Sequence, residues 1–142
     1  MSTPPLVASC CERLWHAGDE AAVPELLSAE FSFRGSFGAE LKGHAAFWEY
    51  VCGFRTALAH YRCEILKCVS EGQQAFAKMR FSGIHPGAFR GHRPSRRPVH
   101  WEGAALFRFE AERIRELWVL GDLVGLDAWL KSNAESQPVI LD

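Results

Sequence analysis

Asp122 and Glu116 are the two acids whose neighbours suggest chemistry. Read with a period of two, the run from Ile114 to Asp122 sets Ile114, Glu116, Trp118, Leu120 and Asp122 on one face, and Arg113, Arg115, Leu117, Val119 and Gly121 on the other. Two carboxylates then share a face with large apolar side chains. Burying an unpaired polar group costs roughly 2–7 kcal/mol, and an ionised one more, so an apolar face that keeps acids is expected to surround a cavity or a polar partner. A carboxyl group in such a wall is a candidate for proton transfer. His85 ends a run that carries Met79 and Phe81 on the same side, and it adds a group that titrates near neutrality. The catalytic candidates are therefore Asp122, His85 and Glu116. Trp118, Trp101, Phe33, Met79 and Phe81 are the candidate walls for an apolar or aromatic ligand. Each has a plainer reading beside it. Asp122 could cap a following helix through the N–H of Val124 or Gly125, Glu116 could pair with an arginine across the sheet, His85 could be a surface group, and the aromatic residues could be core. No histidine or cysteine spacing fits a metal site and no glycine-rich phosphate loop occurs, so no metal or organic cofactor is expected.

The elements that must position these residues follow from periodicity. Pro4 and Pro5 suit a helix start, and Leu6 or Val7, Cys10, Cys11, Leu14 and Trp15 recur at helical spacing until Gly18. Pro24 to Leu27 reads as a second, short helix, Phe31 to Gly35 as a brief strand, and Gly38 to Gly43 as a loop. From His44 to about Leu58, the stripe of Phe47, Val51, Phe54 and Leu58 predicts a third helix. Alternation then predicts strands over Tyr61 to Val69 and Ala75 to His85, joined by a turn at Glu71-Gly72-Gln73. Pro86 to Pro98, with Arg90, Arg93, Arg96 and Arg97, reads as a loop. A long hairpin follows, from Val99 to Phe109 and from Ile114 to Asp122, with Glu110 to Arg113 as its tip. Of its first strand, Val99, Trp101, Gly103, Ala105, Phe107 and Phe109 are expected to point inward. Leu123, Leu126 and Leu130 suggest a closing helix, and Ser132 to Asp142 is a tail with little pattern. Helices segregated from strands argue an α+β layer architecture, with the helices covering one face of a strongly curved sheet and a conical cavity between them.

Bulk properties narrow the partners. The chain has 142 residues, 48% of them hydrophobic, which suits one domain over 1–142 with its own core. A net charge of −1 gives no field that would favour nucleic acid or an anionic membrane, so small molecules and other protein chains are the expected partners. The five cysteines are odd in number and sit in apolar patterns, so they are expected to be reduced and unlinked in a cytoplasmic protein. No apolar run approaches the ~20 residues of a spanning helix. The second apolar set on the last strand, Leu117 and Val119, suggests a homodimer through the convex sheet.

Several pieces, in this order and spacing, carry a family resemblance: Glu40-Leu41-Lys42-Gly43, Ser82-Gly83-Ile84-His85, Arg97-Pro98-Val99, Leu106-Phe107-Arg108-Phe109 and, most specific, Ile114-Arg-Glu116-Leu-Trp118-Val-Leu-Gly-Asp122. From about Ala21 to Leu130 the chain resembles the SnoaL-like polyketide cyclases, or ester cyclases, of the NTF2-like superfamily. The resemblance implies an NTF2-like cone, a curved mixed sheet wrapped around N-terminal helices. It also implies cofactor-independent ring closure of a polyketide intermediate by intramolecular aldol condensation, with an acidic residue in the cavity at the position of Asp122. Near Ala104 or Ala105, where many relatives carry histidine or aspartate, this chain has alanine. Two functions are therefore carried forward: a cyclase or isomerase acting on a small apolar carbonyl substrate, and a ligand-binding or dimeric assembly module without turnover.

Overall fold

The computed structural model describes residues 3–84 and 96–136. Three helical pieces lead the chain. Helix α1 (Pro5–Ser9) starts on Pro4 and Pro5 and continues into a π-helical segment (Cys10–His16), and α2 (Ala22–Leu26) follows. Strands β1 (Leu27–Arg34) and β2 (Glu40–Lys42) form a small antiparallel pair ahead of the long helix α3 (His44–Ala57). Strands β3 (Ala59–Glu71), β4 (Gln74–Ile84), β5 (Pro98–Glu110) and β6 (Arg113–Gly121) run as an antiparallel meander, and α4 (Leu123–Ser136) closes the described chain. The six strands lie in the order β2-β1-β6-β5-β4-β3, and β1 joins β6 in parallel, so the sheet is mixed. The architecture is α+β, as the segregation of elements predicts.

The N-terminal helical stretch is held at its far end by α3. Arg55 donates from Nε to the carbonyl of Trp15 at 3.1 Å and from Nη2 to that of His16 at 3.3 Å, which satisfies carbonyls the helix end leaves open. Gly18 makes room for it. Its φ is +64°, and a Cβ there would lie 2.0 Å from Arg55 Nη1. The core then fills from both layers. Trp15 meets Phe47, Phe54 and Tyr61 edge-on, at centroid distances of 5.9, 6.1 and 5.5 Å, and Phe47 packs on Phe31 and Phe33 at 4.9 Å each.

The inward residues of β4 and β5 are those their alternation predicts: Ala75, Ala77, Met79 and Phe81, and Val99, Trp101, Ala105 and Phe107, are all buried. Strand β6 differs. Arg108 faces Glu116 and Phe109 faces Ile114, so Arg115 is an extra residue, a β-bulge. The bulge reverses the parity beyond it. Ile114 points inward, then Leu117 and Val119 do, while Glu116, Trp118 and Leu120 face outward. The face assignment of the last strand is therefore corrected from Glu116 onward, and the apolar pair offered for a convex dimer surface, Leu117 and Val119, is part of the interior. Strand β3 shows the same device: Ile65 faces Met79 and Lys67 faces Lys78, so Leu66 is the extra residue, and Lys67 and Val69 turn outward. The segment 85–95, including His85, Arg90 and Arg93, and residues 137–142 lie outside the described residues. Helix α4 covers the start of the stretch read as a patternless tail.

Candidate functional site

The concave side of the sheet and the N-terminal helices enclose a small space, about 40 Å³, inside a wall of rings. The π-helical segment supplies Cys10, Cys11 and Trp15, the turn after β1 supplies Ser36 and Phe37, and α3 supplies Tyr50 and Phe54. The sheet supplies Phe33, Tyr61, Cys63, Met79, Phe81, Trp101, Ala105, Phe107, Leu117 and Val119. A π-helical turn is wider than an α-turn and is often found at functional sites; here it sets two adjacent thiols and an indole on one wall. Four of the five proposed ligand-wall residues, Trp101, Phe33, Met79 and Phe81, line this space together. The space itself would hold a few water molecules.

No aspartate, glutamate, histidine, lysine or arginine is among the described residues of the lining. Its polar groups are donors. Ser36, Tyr50 and Tyr61 carry hydroxyls and Trp101 an indole N–H, and none of these is hydrogen-bonded to another side chain or backbone group among the described residues. Three of them approach glycine backbones. A Cβ on Gly35 would lie 2.8 Å from the Tyr50 hydroxyl, and one on Gly121 would lie 3.0 Å from Trp101 Nε1 and 3.1 Å from Ser36 Oγ. Burial pushes the Tyr50 hydroxyl up to about 12. Burial, with smaller effects from Cys63, Tyr50 and Cys11, holds Tyr61 well above its ordinary value. The Cys10 and Cys63 thiols are likewise pushed up, mainly by burial, and all five cysteines are unlinked. The tyrosines therefore stay protonated donors across the physiological range, and these two thiols stay neutral. Behind the wall, His16 Nε2 lies 3.0 Å from both the amide nitrogen and the carbonyl oxygen of Cys63, and burial lowers the His16 pKa against the opposing effect of that backbone contact.

The proposed acids lie elsewhere. Asp122 is exposed at the start of α4, where Oδ1 accepts the Gly125 N–H at 2.9 Å and the main-chain carbonyl accepts the Leu126 N–H at 3.1 Å. It caps the helix and does not line the interior. Its surroundings form an outer cleft of about 520 Å³ with His100, Glu102 and Trp129, where the rings of His100 and Trp129 sit 4.7 Å apart. Trp101 also borders this cleft. Glu116 is corrected from site acid to surface partner: Arg108 donates to its two oxygens at 3.0 Å each, and that pairing holds its carboxyl below the usual range. Trp118 is corrected as well, because the bulge at Arg115 turns it outward, 39% exposed, with the Arg34 guanidinium 5.7 Å from its ring centre. His85, as the third catalytic candidate, lies outside the described residues. Tyr50 and Tyr61 were not singled out from sequence, although a signal existed: Phe47, Tyr50 and Phe54 follow steps of three and four on one helix face, and Tyr61 shares the inward parity of Cys63.

A family model for SnoaL-like polyketide cyclases matches residues 6–129. The chain belongs to this family. Solved structures of the same fold agree over nearly the whole chain. A candidate polyketide cyclase from Acidithiobacillus ferrooxidans aligns with a TM-score of 0.83 at 18% identity, covering 94% of this chain and all 100% of that one. IdmH from Streptomyces antibioticus, also a candidate polyketide cyclase, aligns at 0.79 and 18% identity over 89% of this chain and 96% of its own. A protein of ketosteroid isomerase-like fold from Catenulispora acidiphila, in complex with trimethylamine, aligns at 0.79 and 18% identity over 96% and 100%. Among curated proteins none matches the chain. The fold is thus the NTF2 and ketosteroid isomerase-like one. No helix among the described residues is long and apolar enough to cross a membrane, and no three histidine, cysteine, aspartate or glutamate side chains among them stand together as a metal site requires.

Proposed function

We propose that the chain binds a compact, largely apolar molecule bearing an oxygen acceptor, such as an aromatic ketone, within the ring-lined interior, and that binding without proton abstraction by an interior carboxylate is its primary role. The observation that carries this is the lining: aromatic faces, and hydroxyl and indole donors without a partner among the described residues, with no carboxylate, histidine, lysine or arginine among its described residues. A hydroxyl or indole N–H with no partner among the described residues favours a ligand that brings an acceptor. A space of about 40 Å³ favours a small ligand, or one that turns ring side chains as it enters. That a neighbour of the same fold is held in complex with trimethylamine, a molecule of small size, supports the scale. Action as a homodimer belongs to the same reading.

Family membership favours a second reading, cofactor-independent cyclase or isomerase turnover on a polyketide-like carbonyl compound. Here Tyr50 or Tyr61 would donate to the carbonyl oxygen as negative charge develops on it, the electrostatic part of the chemistry. The proton acceptor would come from Asp122 or His85 rather than from the described lining.

Acetophenone and benzoate, equal in scale and differing in charge, test the first reading through quenching of tryptophan fluorescence. Acetophenone is expected to bind and benzoate is not, since no cation lines the described interior. Tyr50→Phe or Tyr61→Phe removes a hydrogen bond worth about 0.5–1.5 kcal/mol, so acetophenone affinity is expected to fall about two- to twelvefold in at least one of them. Affinity untouched in both variants would sink the donor claim. Turnover lost in Asp122→Asn with binding retained would instead establish the second reading.

A further inference from the structure

Two glycines face each other across the last hairpin. Gly103 on β5 pairs with Gly121 on β6, and each continues the inward parity of its strand, Gly103 between Trp101 and Ala105 and Gly121 after Val119. Neither carries a side chain, so neighbouring rings close over the bare backbone. A Cβ on Gly103 would lie 2.7 Å from Phe81 Cε2, and one on Gly121 would lie 3.0 Å from Trp101 Nε1. Neither glycine has a positive φ, so close approach and not backbone freedom is what requires them. The gap lets the indole of Trp101 bring its N–H to the end of β6.

The turn after β1 brings a second donor to the same place. Ser36 Oγ lies 3.1 Å from the point where a Gly121 Cβ would stand, so it and Trp101 Nε1 are no more than about 6 Å apart, a span that one oxygen can bridge with a hydrogen bond to each. The turn is fixed by its own backbone, because the Gly38 N–H donates to the Gly35 carbonyl at 3.0 Å and the Gly35 N–H to the Ala39 carbonyl at 2.9 Å. Tyr50 of α3 reaches the residue next to Ser36, its hydroxyl 2.8 Å from the Cβ position of Gly35. Trp101 is only 4% exposed, and none of the three donors has a hydrogen-bond partner among the described residues. A buried N–H without an acceptor is costly and rare in folded proteins, so this one points to an acceptor that a ligand supplies.

We propose that Ser36, Tyr50 and Trp101 form the corner that receives the oxygen of the ligand, and that this corner selects neutral carbonyl compounds over hydrocarbons of the same shape. A carbonyl oxygen offers two lone pairs, which suits one N–H and two hydroxyls that can turn their protons toward it. A carboxylate would arrive with a full charge and meet no cation among the described lining residues. The inference rests on the reading that the interior binds a carbonyl compound, and adds which side chains choose it.

Titration calorimetry with acetophenone and with α-methylstyrene, in which a methylene group replaces the carbonyl oxygen, tests it. The readout is the ratio of the two affinities, because a change that only loosens the interior moves both probes together. Ser36→Ala and Trp101→Phe are each expected to shift the ratio toward the hydrocarbon by about two- to twelvefold. A second measurement needs no variant. Hydrogen bonds weaken the C=O bond, so the infrared stretch of acetophenone, isotope-labelled at the carbonyl, is expected to lie lower in the complex than in hexane and to rise toward the hexane value in either variant. Failure of both probes to bind wild type would overturn the corner together with the reading of the interior it rests on. Acetophenone bound with its stretch at the hexane value, or with a ratio that both variants leave untouched, would overturn the corner alone.

Discussion

The interior and the outer cleft beside α4 divide between them what a catalytic site would combine. The interior has the rings, the enclosure and the hydrogen-bond donors, and the cleft has His100, Glu102 and Asp122 in open contact with water. Enclosure strengthens every interaction within it but penalises charge, so a wall of aromatic side chains and neutral hydroxyls costs less there than carboxylates would. Ionisable groups in the cleft need no such compensation because they remain solvated. The difference teaches that in this chain the ring-lined space and the ionisable side chains of the cleft lie apart, and position 105, the inward one of the pair 104 and 105, carries only a methyl group.

The sharpest way to test that division is to cut into the interior. Phe47→Ala removes a fully buried ring packed on Trp15, Phe31 and Phe33, and is expected to cost about 3–5 kcal/mol in urea unfolding. Trp129→Ala in the cleft, where the indole is 40% exposed, is expected to cost less than half of that; equal costs would mean the cleft is as much a core as the interior.

Gly18→Ala is next in size. The left-handed backbone and the displaced Arg55 together are expected to cost about 1–3 kcal/mol, read as a fall in thermal midpoint. Asp122→Ala is expected to cost about 1 kcal/mol as a lost helix cap, whereas Asp122→Asn is expected to leave stability nearly unchanged, because asparagine caps as well. A large loss in Asp122→Asn would show that its charge matters beyond the cap.

Acid tests the interior from another side. His16 has its pKa lowered in the fold by burial, so the unfolded chain takes up its proton first as pH falls below about 6.5. Stability is therefore expected to decline from that point down to the lowered folded value and then to level, as far as this group is concerned. His16→Gln should flatten that part of the stability profile. The smallest effect belongs to the outer sheet. The exposed Arg108–Glu116 pair is expected to show a coupling under about 1 kcal/mol in a double-mutant cycle, weakened further by salt.

How far the sequence could be read depended on whether a strand kept its period. In β4 and β5 the alternation runs unbroken, and the inward residues from Ala75 to Phe81 and from Val99 to Phe107 could be assigned from hydropathy alone. The helical stripe is buried as its spacing predicts: Val7, Cys10, Cys11, Leu14 and Trp15 are all inside even though their turn is π-helical, since an α-turn returns to the same side after three or four residues and a π-turn after four or five. In β3 and β6 a single extra residue reverses the faces. A bulge is specified by pairing with a neighbouring strand, not by the local pattern, so Glu116 and Trp118 could not be placed without that partner. Strand β2, three residues long, is too short to show a period. For the candidate site, the aromatic wall was legible and the acids were not. Asp122 has the spacing of both a cavity acid and a helix cap, and only the exit direction of α4 distinguishes them.

The bulge at Arg115 also makes the length of the chain there a variable separate from its composition. Without that residue, Ile114 would be followed directly by Glu116, Leu117 and Trp118, and the strand would alternate regularly with every other side chain keeping its present orientation. A one-residue deletion at Arg115 is therefore a milder change than a one-residue deletion at Leu117, which would set Glu116 beside Trp118 and put one of them among the buried rings. Loss and gain of single residues in this hairpin should be tolerated at one position and not at its neighbours, a pattern that a library of single-residue deletions across Arg113 to Gly121 would display.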